Sequence, residues 1–181
     1  LAYFPGDMPI EFRSYCRQRT AARASRYRQL LSELPVSGLT APESDGAEQS
    51  LTRLHLAEAL VRGGHASSVG EAFTRWLRGM KSPSHFPTVS EVLSAARACG
   101  AFCSWAHPPA DQVEKWTPGF ASLGLGALEA YRPTRGRKSK PRILEIARRN
   151  GICVTGGSDS HRSETIGSYS FPAERIREWG L

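Results

Sequence analysis

The sequence lacks the features that mark membrane and secreted proteins. None of its apolar runs approaches the ~20 residues that a helix needs to cross a bilayer, and no signal-peptide pattern opens the chain. Its four cysteines show no Cys-x-x-Cys spacing, which argues against disulfides. We therefore predict one globular domain with no membrane partner, located in the cytoplasm, in which the cysteines act as small core residues.

Acidic residues are scarcer than basic ones. The chain has 24 Lys and Arg against 17 Asp and Glu, which gives a formal net charge of +7. This excess attracts phosphates and other polyanions without requiring that they bind. One basic cluster lies on the first predicted helix and has an alternative interpretation as a solvated face. The second cluster comprises Arg132, Arg135, Arg137, Lys138, Lys140 and Arg142. Its alternative interpretation is a flexible surface loop.

The apolar periodicity predicts an α/β fold. Helices are expected at about 9–34, 50–62, 68–79, 88–98, 111–115 and 139–150. Thr88 and Glu91 have the spacing of a capping box at the start of the fourth helix. Strands are expected at about 101–106, 124–131 and 151–155. Strands that alternate with helices in this way are typical of a parallel sheet with helices outside.

The last predicted strand ends in the most distinctive segment of the chain. Gly156 and Gly157 allow a sharp turn there, and Asp159 and His161 follow two positions apart. A carboxylate oxygen and an imidazole nitrogen with this spacing can bind one divalent cation. The alternative is an ordinary loop in which the Asp caps the next helix.

Two further histidines stand at the ends of predicted elements. His107 ends the strand at about 101–106, and two prolines follow it, so its ring is expected to point above the sheet. His55 opens a predicted helix. A histidine at a strand end is also often a hydrogen-bonded core residue, and one at a helix start is often a cap or a surface residue.

Three motifs, taken in order, resemble the PHP (polymerase and histidinol phosphatase) family of metal-dependent phosphoesterases. They are Thr-Arg-x-His-x-Ala-x-Ala-Leu-Val at 52–61, Ala-His-Pro at 106–108 and Thr-Gly-Gly-Ser-Asp-x-His at 155–161. Residues 64–77, 126–133 and 166–181 are similar to the bacterial branch that acts on nucleotides and RNA ends. The resemblance implies a partial, distorted (β/α)7-type barrel that lacks its N-terminal strands and has a helical insertion at about 36–87.

The resemblance also implies that residues 1–181 are the C-terminal part of a single PHP domain. Family members begin with a strand that ends in His-x-His and then supply an Asp, another His and a Glu, and none of these motifs is in this sequence. The first residue is Leu rather than Met, which agrees with a fragment. We therefore expect a missing N-terminal segment and a chain that is inactive by itself.

The resemblance implies up to three divalent metal ions in the complete domain. The residues that match the family motifs, expected as metal ligands and catalytic residues, are His55, His107, Asp159 and His161. Mixed imidazole and carboxylate ligands suit Mn, Zn or Fe better than Mg. The candidates for binding substrate phosphate are Arg53, Lys81, Arg135, Arg137 and Lys138. Glu129, at a strand end, is expected to support the site or the fold rather than to bind metal.

The implied reaction is hydrolysis of a phosphate ester of a nucleotide, such as a nucleoside 3',5'-bisphosphate, or of an RNA 5' end. The alternative is a non-catalytic PHP-like module that binds nucleic acid or protein. One departure from the family bears on the substrate. Many relatives place Gly-Arg after Ala-His-Pro, whereas this chain has Pro109-Ala110-Asp111, so that a phosphate-facing arginine is lost or replaced.

Overall fold

A computed structural model describes residues 1–40, 51–80, 86–133, 139–160 and 163–180. These divide into two compact units, the first formed by Leu1–Phe12 and Pro87–Leu181 and the second by Arg13–Phe86. The α-helices in these ranges are α1 (Ile10–Glu33), α2 (Arg53–Arg62), α3 (Val69–Ala72), α4 (Val89–Ala98), α5 (Val113–Ser122) and α6 (Lys140–Arg149). Within the same ranges, no helix has both the length and the apolar character needed to span a bilayer.

The first unit is built on a four-stranded sheet. Its strands are β1 (Ala2–Tyr3), β2 (Phe102–Trp105), β3 (Ala127–Tyr131) and β4 (Cys153–Gly156), and they lie side by side in that order. β2, β3 and β4 run parallel, whereas β1 pairs antiparallel with β2. The predicted α/β class, with a parallel sheet, is confirmed. β1 was not predicted, because two residues carry no periodic signal.

Helices α4, α5 and α6 alternate with the parallel strands. The predicted capping box of α4 is present: the Thr88 backbone N–H donates to Glu91 Oε2 at 2.7 Å, and the Glu91 N–H donates to Thr88 Oγ1 at 3.2 Å. α5 is longer than the predicted 111–115 and contains Pro118. The sequence pattern ends this helix early because proline removes one backbone donor and usually breaks a helix.

Aromatic residues near the C-terminus pack against the sheet. A 3-10 helix at Ala173–Trp179 brings Trp179 over Phe102, with ring centroids 5.3 Å apart and planes 11° from parallel. The Trp179 Nε1–H also donates to the Val154 carbonyl at 3.0 Å. This segment therefore joins β2 and β4 on one side of the sheet.

The second unit is helical. Its core is made by apolar residues of α1, α2 and the following helical segment, and the largest of them are Tyr27, Leu30, Leu34, Leu56, Leu60 and Leu77. The helix predicted at 68–79 is α3 continued by a π-helical turn at Phe73–Leu77. Most of the helical insertion expected at about 36–87 falls in this unit, which also includes α1 from Arg13.

All four cysteines are free thiols. Cys103, in β2, is buried, and burial raises the pKa of its thiol. Cys16, Cys99 and Cys153 are only half-buried. The prediction that the cysteines act as core residues is therefore right for Cys103 and wrong for the other three, which lie at the margins of their elements or on a partly exposed helix face.

Candidate metal centre

Three chemically reactive side chains meet beyond the carboxyl ends of the parallel strands. His107 follows β2, Glu129 lies in β3 and Asp159 follows β4. His107 Nε2 is 3.0 Å from Asp159 Oδ1 and 3.3 Å from Glu129 Oε2. Parallel strands bring their carboxyl ends to one edge of a sheet, so residues far apart in sequence can share a site there. The structure thus brings together two of the four predicted ligands and adds a third side chain.

Glu129 is the buried member of this group. Its side chain is 4% exposed, against 39% for His107 and 41% for Asp159. Besides contacting the ring, Glu129 Oε2 accepts the backbone N–H of His107 at 3.1 Å. A buried carboxylate is costly unless it is paired in this way. The sequence did not identify Glu129 as a direct partner of His107. An acidic residue within an apolar strand could have indicated a buried, paired carboxylate.

The backbone is in an unusual conformation at both exposed members of the group. Within the described residues, His107 (φ 49°) and Asp159 (φ 53°) are the non-glycine residues with positive φ. This left-handed conformation costs about 1–3 kcal/mol per residue and is concentrated at functional sites in proteins. At His107 the conformation has an evident support, because the Glu129 carboxylate accepts its N–H.

The glycine pair after β4 allows close approach of two strands. A Cβ on Gly156 would collide with the Cβ and the carbonyl oxygen of Tyr131 in β3. The pairing of β3 and β4 shifts register at this point, and the Gly157 N–H donates to the Tyr131 carbonyl at 2.9 Å. Neither glycine has a positive φ. The predicted reason for the glycines, a sharp turn, is therefore wrong, and close packing against Tyr131 replaces it.

Arg132 contacts the other side of the His107 ring. Its Nη1 lies 2.9 Å from His107 Nδ1. Because a guanidinium only donates hydrogen bonds, Nδ1 must accept, and the ring hydrogen is then on Nε2. Nε2–H accordingly faces the two carboxylates. Arg132 belongs to the second basic cluster, and this contact places it beside His107.

The donor set fits a divalent metal ion in its chemistry. One imidazole and two carboxylates are the ligand types that Mn, Zn and Fe accept. In the part of the chain that the structure describes, no three His, Cys, Asp or Glu side chains are arranged to hold an ion as they stand. For His107 to bind an ion through Nε2, the ring hydrogen has to be on Nδ1, and Arg132 has to move away from that atom.

His55 and Arg53 lie at the start of α2, in the second unit. His55 is half-exposed, and its Nδ1 accepts the Thr52 backbone N–H at 3.1 Å and lies 2.9 Å from Thr52 Oγ1. This is the helix cap that the sequence left open as an alternative. Nε and Nη2 of Arg53 are buried and have no hydrogen-bond partner among the residues that the structure describes. Burial, followed by the charges of Arg53 and Arg23, lowers the pKa of Arg26.

The other predicted site residues lie outside the described part of the chain: Lys81, Arg135, Arg137, Lys138 and His161. The described members of the second basic cluster contact different partners. Lys140 Nζ is 3.9 Å from the centroid of the Tyr131 ring, and Arg142 pairs with Glu114 at 2.8 Å. Of these described members, only Arg132 has a contact with His107.

Comparison with known sequences supports the predicted resemblance. A family model described as PHP-associated matches residues 139–178. The 5'-3' exoribonuclease Rnm of Escherichia coli (strain K12) is 24% identical over 165 residues, which are 84% of this chain and 55% of that protein. The chain therefore spans about half the length of this curated relative.

Comparison with solved structures gives the same result for the fold. A candidate metal-dependent phosphoesterase from Bifidobacterium adolescentis matches with a TM-score of 0.67 and 26% identity, over 91% of this chain and 63% of that one. An amidohydrolase from Chromobacterium violaceum, solved with bound sulfate and no metal, has a TM-score of 0.74 at 21% identity, over 95% and 67% of the two chains. The resemblance to the PHP family and the partial barrel fold are confirmed.

Proposed function

We propose that this chain is part of a cytoplasmic, metal-dependent phosphoesterase that acts on phosphate esters of nucleotides or on RNA 5' ends. The observation that supports the proposal is the group formed by His107, Glu129 and Asp159 at the carboxyl end of the sheet. Because the chain spans 55% of its Escherichia coli relative, we assign the activity to a longer protein. In it, residues 1–181 form the C-terminal part of one PHP domain, and an N-terminal segment supplies the remaining ligands.

The proposed ligands from this chain are His55, His107, Asp159 and His161. Divalent ions of Mn, Zn or Fe, up to three in the complete domain, would supply an activated water and neutralise charge on the phosphoryl oxygens. The protein's own contribution at this edge is positional. Glu129 holds both the backbone N–H and the ring of His107, and Asp159 presents a half-exposed carboxylate to the same ring nitrogen.

The proposed substrates share a phosphate group on a nucleotide. The Escherichia coli relative is an exoribonuclease, which supports an RNA substrate. The Bifidobacterium protein is described as a phosphoesterase, which supports a phosphate ester as substrate. A formal charge of +7 favours such polyanions. A nucleoside 3',5'-bisphosphate is the smallest substrate of this kind that we propose. Its phosphates would be held by the basic candidates Arg53, Lys81, Arg135, Arg137 and Lys138.

Metal titration of the 181-residue chain tests the ligands directly. We expect calorimetry to show weak Mn²⁺ or Zn²⁺ binding that the combined change Asp159→Ala and His161→Ala weakens at least about tenfold. Glu145→Gln is the control, since Glu145 is an exposed partner of Arg148 on α6. Equal binding by the double variant and the wild-type chain would remove Asp159 and His161 from the site.

Hydrolysis tests the reaction. The 181-residue chain should show negligible turnover of a nucleoside bisphosphate or a 5'-phosphorylated oligoribonucleotide with Mn²⁺, whereas the longer protein should hydrolyse them. Turnover by the chain at the rate of the longer protein would contradict the assignment of ligands to an N-terminal segment. Binding of RNA by the longer protein, without hydrolysis and without metal, would instead identify the non-catalytic binding module.

A further inference from the structure

Arg132, the residue after β3, is a charged side chain that forms no ion pair with any carboxylate in the described part of the chain. Within the described part of the chain, its hydrogen bond is the 2.9 Å contact with His107 Nδ1, and its Nε is buried with no hydrogen-bond partner. None of the ion pairs between described residues includes Arg132. A buried or half-buried guanidinium normally pairs with an anion. Arg132 can therefore bind an anion.

Neighbouring arginines of the same unit show the contrast. Arg142 and Arg149 each contact Glu114 at 2.8 Å, and Arg148 contacts Glu145 at 3.0 Å. Each of these three arginines therefore has a carboxylate partner, and Arg142 and Arg149 share one. The guanidinium of Arg132 instead donates to the His107 ring, and no ion pair between described residues joins it directly to a carboxylate.

Arg132 lies at the same edge of the sheet as an arginine that the family resemblance implies and this chain lacks. This chain has Pro109-Ala110-Asp111 after Ala-His-Pro, whereas the resemblance to the PHP family implies Gly-Arg at this place. That arginine would follow β2, whereas Arg132 follows β3, the strand next to β2 in the sheet. Neighbouring parallel strands end at the same edge, so an arginine can reach this edge from either strand.

We propose that Arg132 binds a phosphate group of the substrate beside His107, in place of the arginine that this chain lacks after His-Pro. The inference rests on the proposed function and adds a phosphate-binding residue to it. A guanidinium presents a planar fork of donors that matches two oxygens of a phosphate monoester. In this structure the Arg132 guanidinium contacts His107 Nδ1 instead. A metal ion held by Nε2 would leave the ring hydrogen on Nδ1, so that the guanidinium would no longer donate to that atom and could bind the phosphate.

Phosphate binding to the 181-residue chain tests the inference independently of hydrolysis. The chain and its variants are titrated with inorganic phosphate and followed by calorimetry and by the NMR signal of the Arg132 Nε–H. Arg132→Gln should weaken phosphate affinity by roughly tenfold or more, because it removes charge-assisted hydrogen bonds. Arg132→Lys should have an intermediate affinity, since it keeps the charge and loses the fork.

The matched control is Arg148→Gln, which removes the same charge from a side chain that is 74% exposed. It should change phosphate affinity by less than about twofold, because screening weakens a distant surface charge. Thermal unfolding shows whether each variant is folded, and Arg132→Lys provides the answer if the glutamine variant is not. Phosphate affinity within twofold of wild type in a folded Arg132 variant would overturn the inference.

Kinetics of the longer protein separate this inference from the proposed function. Arg132→Gln should raise KM for a nucleoside bisphosphate with a smaller change in kcat, and it should not weaken Mn²⁺ binding, because it removes a contact that competes with metal binding by His107. Hydrolysis with an unaltered KM would refute the role of Arg132 while the phosphoesterase proposal stands. Absence of hydrolysis together with Arg132-dependent phosphate binding would refute the phosphoesterase proposal and retain the phosphate site.

Discussion

Replacing Glu129 with glutamine tests how the candidate metal centre is held together. The carboxylate accepts the His107 N–H at 3.1 Å and lies 3.3 Å from its Nε2. A hydrogen bond to a charged acceptor contributes about 1.5–3 kcal/mol and one to a neutral acceptor about 0.5–1.5, so each weakened bond costs roughly 1 kcal/mol. Burying an amide costs less than burying a carboxylate, which offsets this loss. We expect the free energy of unfolding to fall by less than about 1.5 kcal/mol.

Metal affinity should respond more strongly than stability. If Glu129 orients the His107 ring or binds the ion itself, Glu129→Gln should weaken Mn²⁺ binding about 10–100-fold. Glu129→Ala should in addition lower the free energy of unfolding by roughly 2–4 kcal/mol, because it leaves a cavity and removes the acceptor of a half-buried N–H. Calorimetric titration measures the first quantity and urea unfolding the second.

The control for both measurements is Glu145→Gln, which alters a carboxylate that is 50% exposed on α6. It should change neither Mn²⁺ affinity nor the free energy of unfolding by a measurable amount, since exposed ion pairs contribute about 0–1 kcal/mol. The reasoning fails if Glu129→Gln binds Mn²⁺ as tightly as the wild-type chain and Glu129→Ala is as stable as Glu129→Gln.

Three further predictions concern other parts of the chain. Gly156→Ala should destabilise the fold by about 1–3 kcal/mol in urea unfolding, because the new Cβ collides with Tyr131; an unchanged midpoint would contradict this packing. Hydrogen bonds from two arginines hold the pKa of Glu114 below its usual 4.5, so the stability it contributes is present above pH 4.5 and is lost as pH falls through the lower, folded-state pKa. Replacing Arg142 and Arg149 with glutamine should remove this loss of stability at acid pH, as measured by urea unfolding. An unaltered dependence of stability on pH would refute the role of these arginines. In the longer protein, replacing Arg135, Arg137 and Lys138 of the second basic cluster with neutral residues should raise KM, more at low salt, with little change in thermal stability. An unaltered KM would show that these three residues are solvated surface.

The sequence by itself determined the elements and their order. The bounds of α1 and α6, the capping box of α4 and three of the four strands follow from apolar periodicity and local spacing, which depend only on near neighbours in the chain. The family resemblance grouped His107 and Asp159 as expected metal ligands, and the structure places His107 Nε2 3.0 Å from Asp159 Oδ1.

Only the tertiary structure decided which side chains touch within that edge. Glu129 contacts His107 across 22 positions of sequence and Arg132 contacts it across 25, and neither contact follows from a local pattern. Both depend on the register of β2, β3 and β4 and on the shift in pairing after Glu129. A change of one residue in register would turn these side chains to the opposite face of the sheet. Periodicity therefore determines where a strand ends, whereas strand pairing determines which atoms meet there.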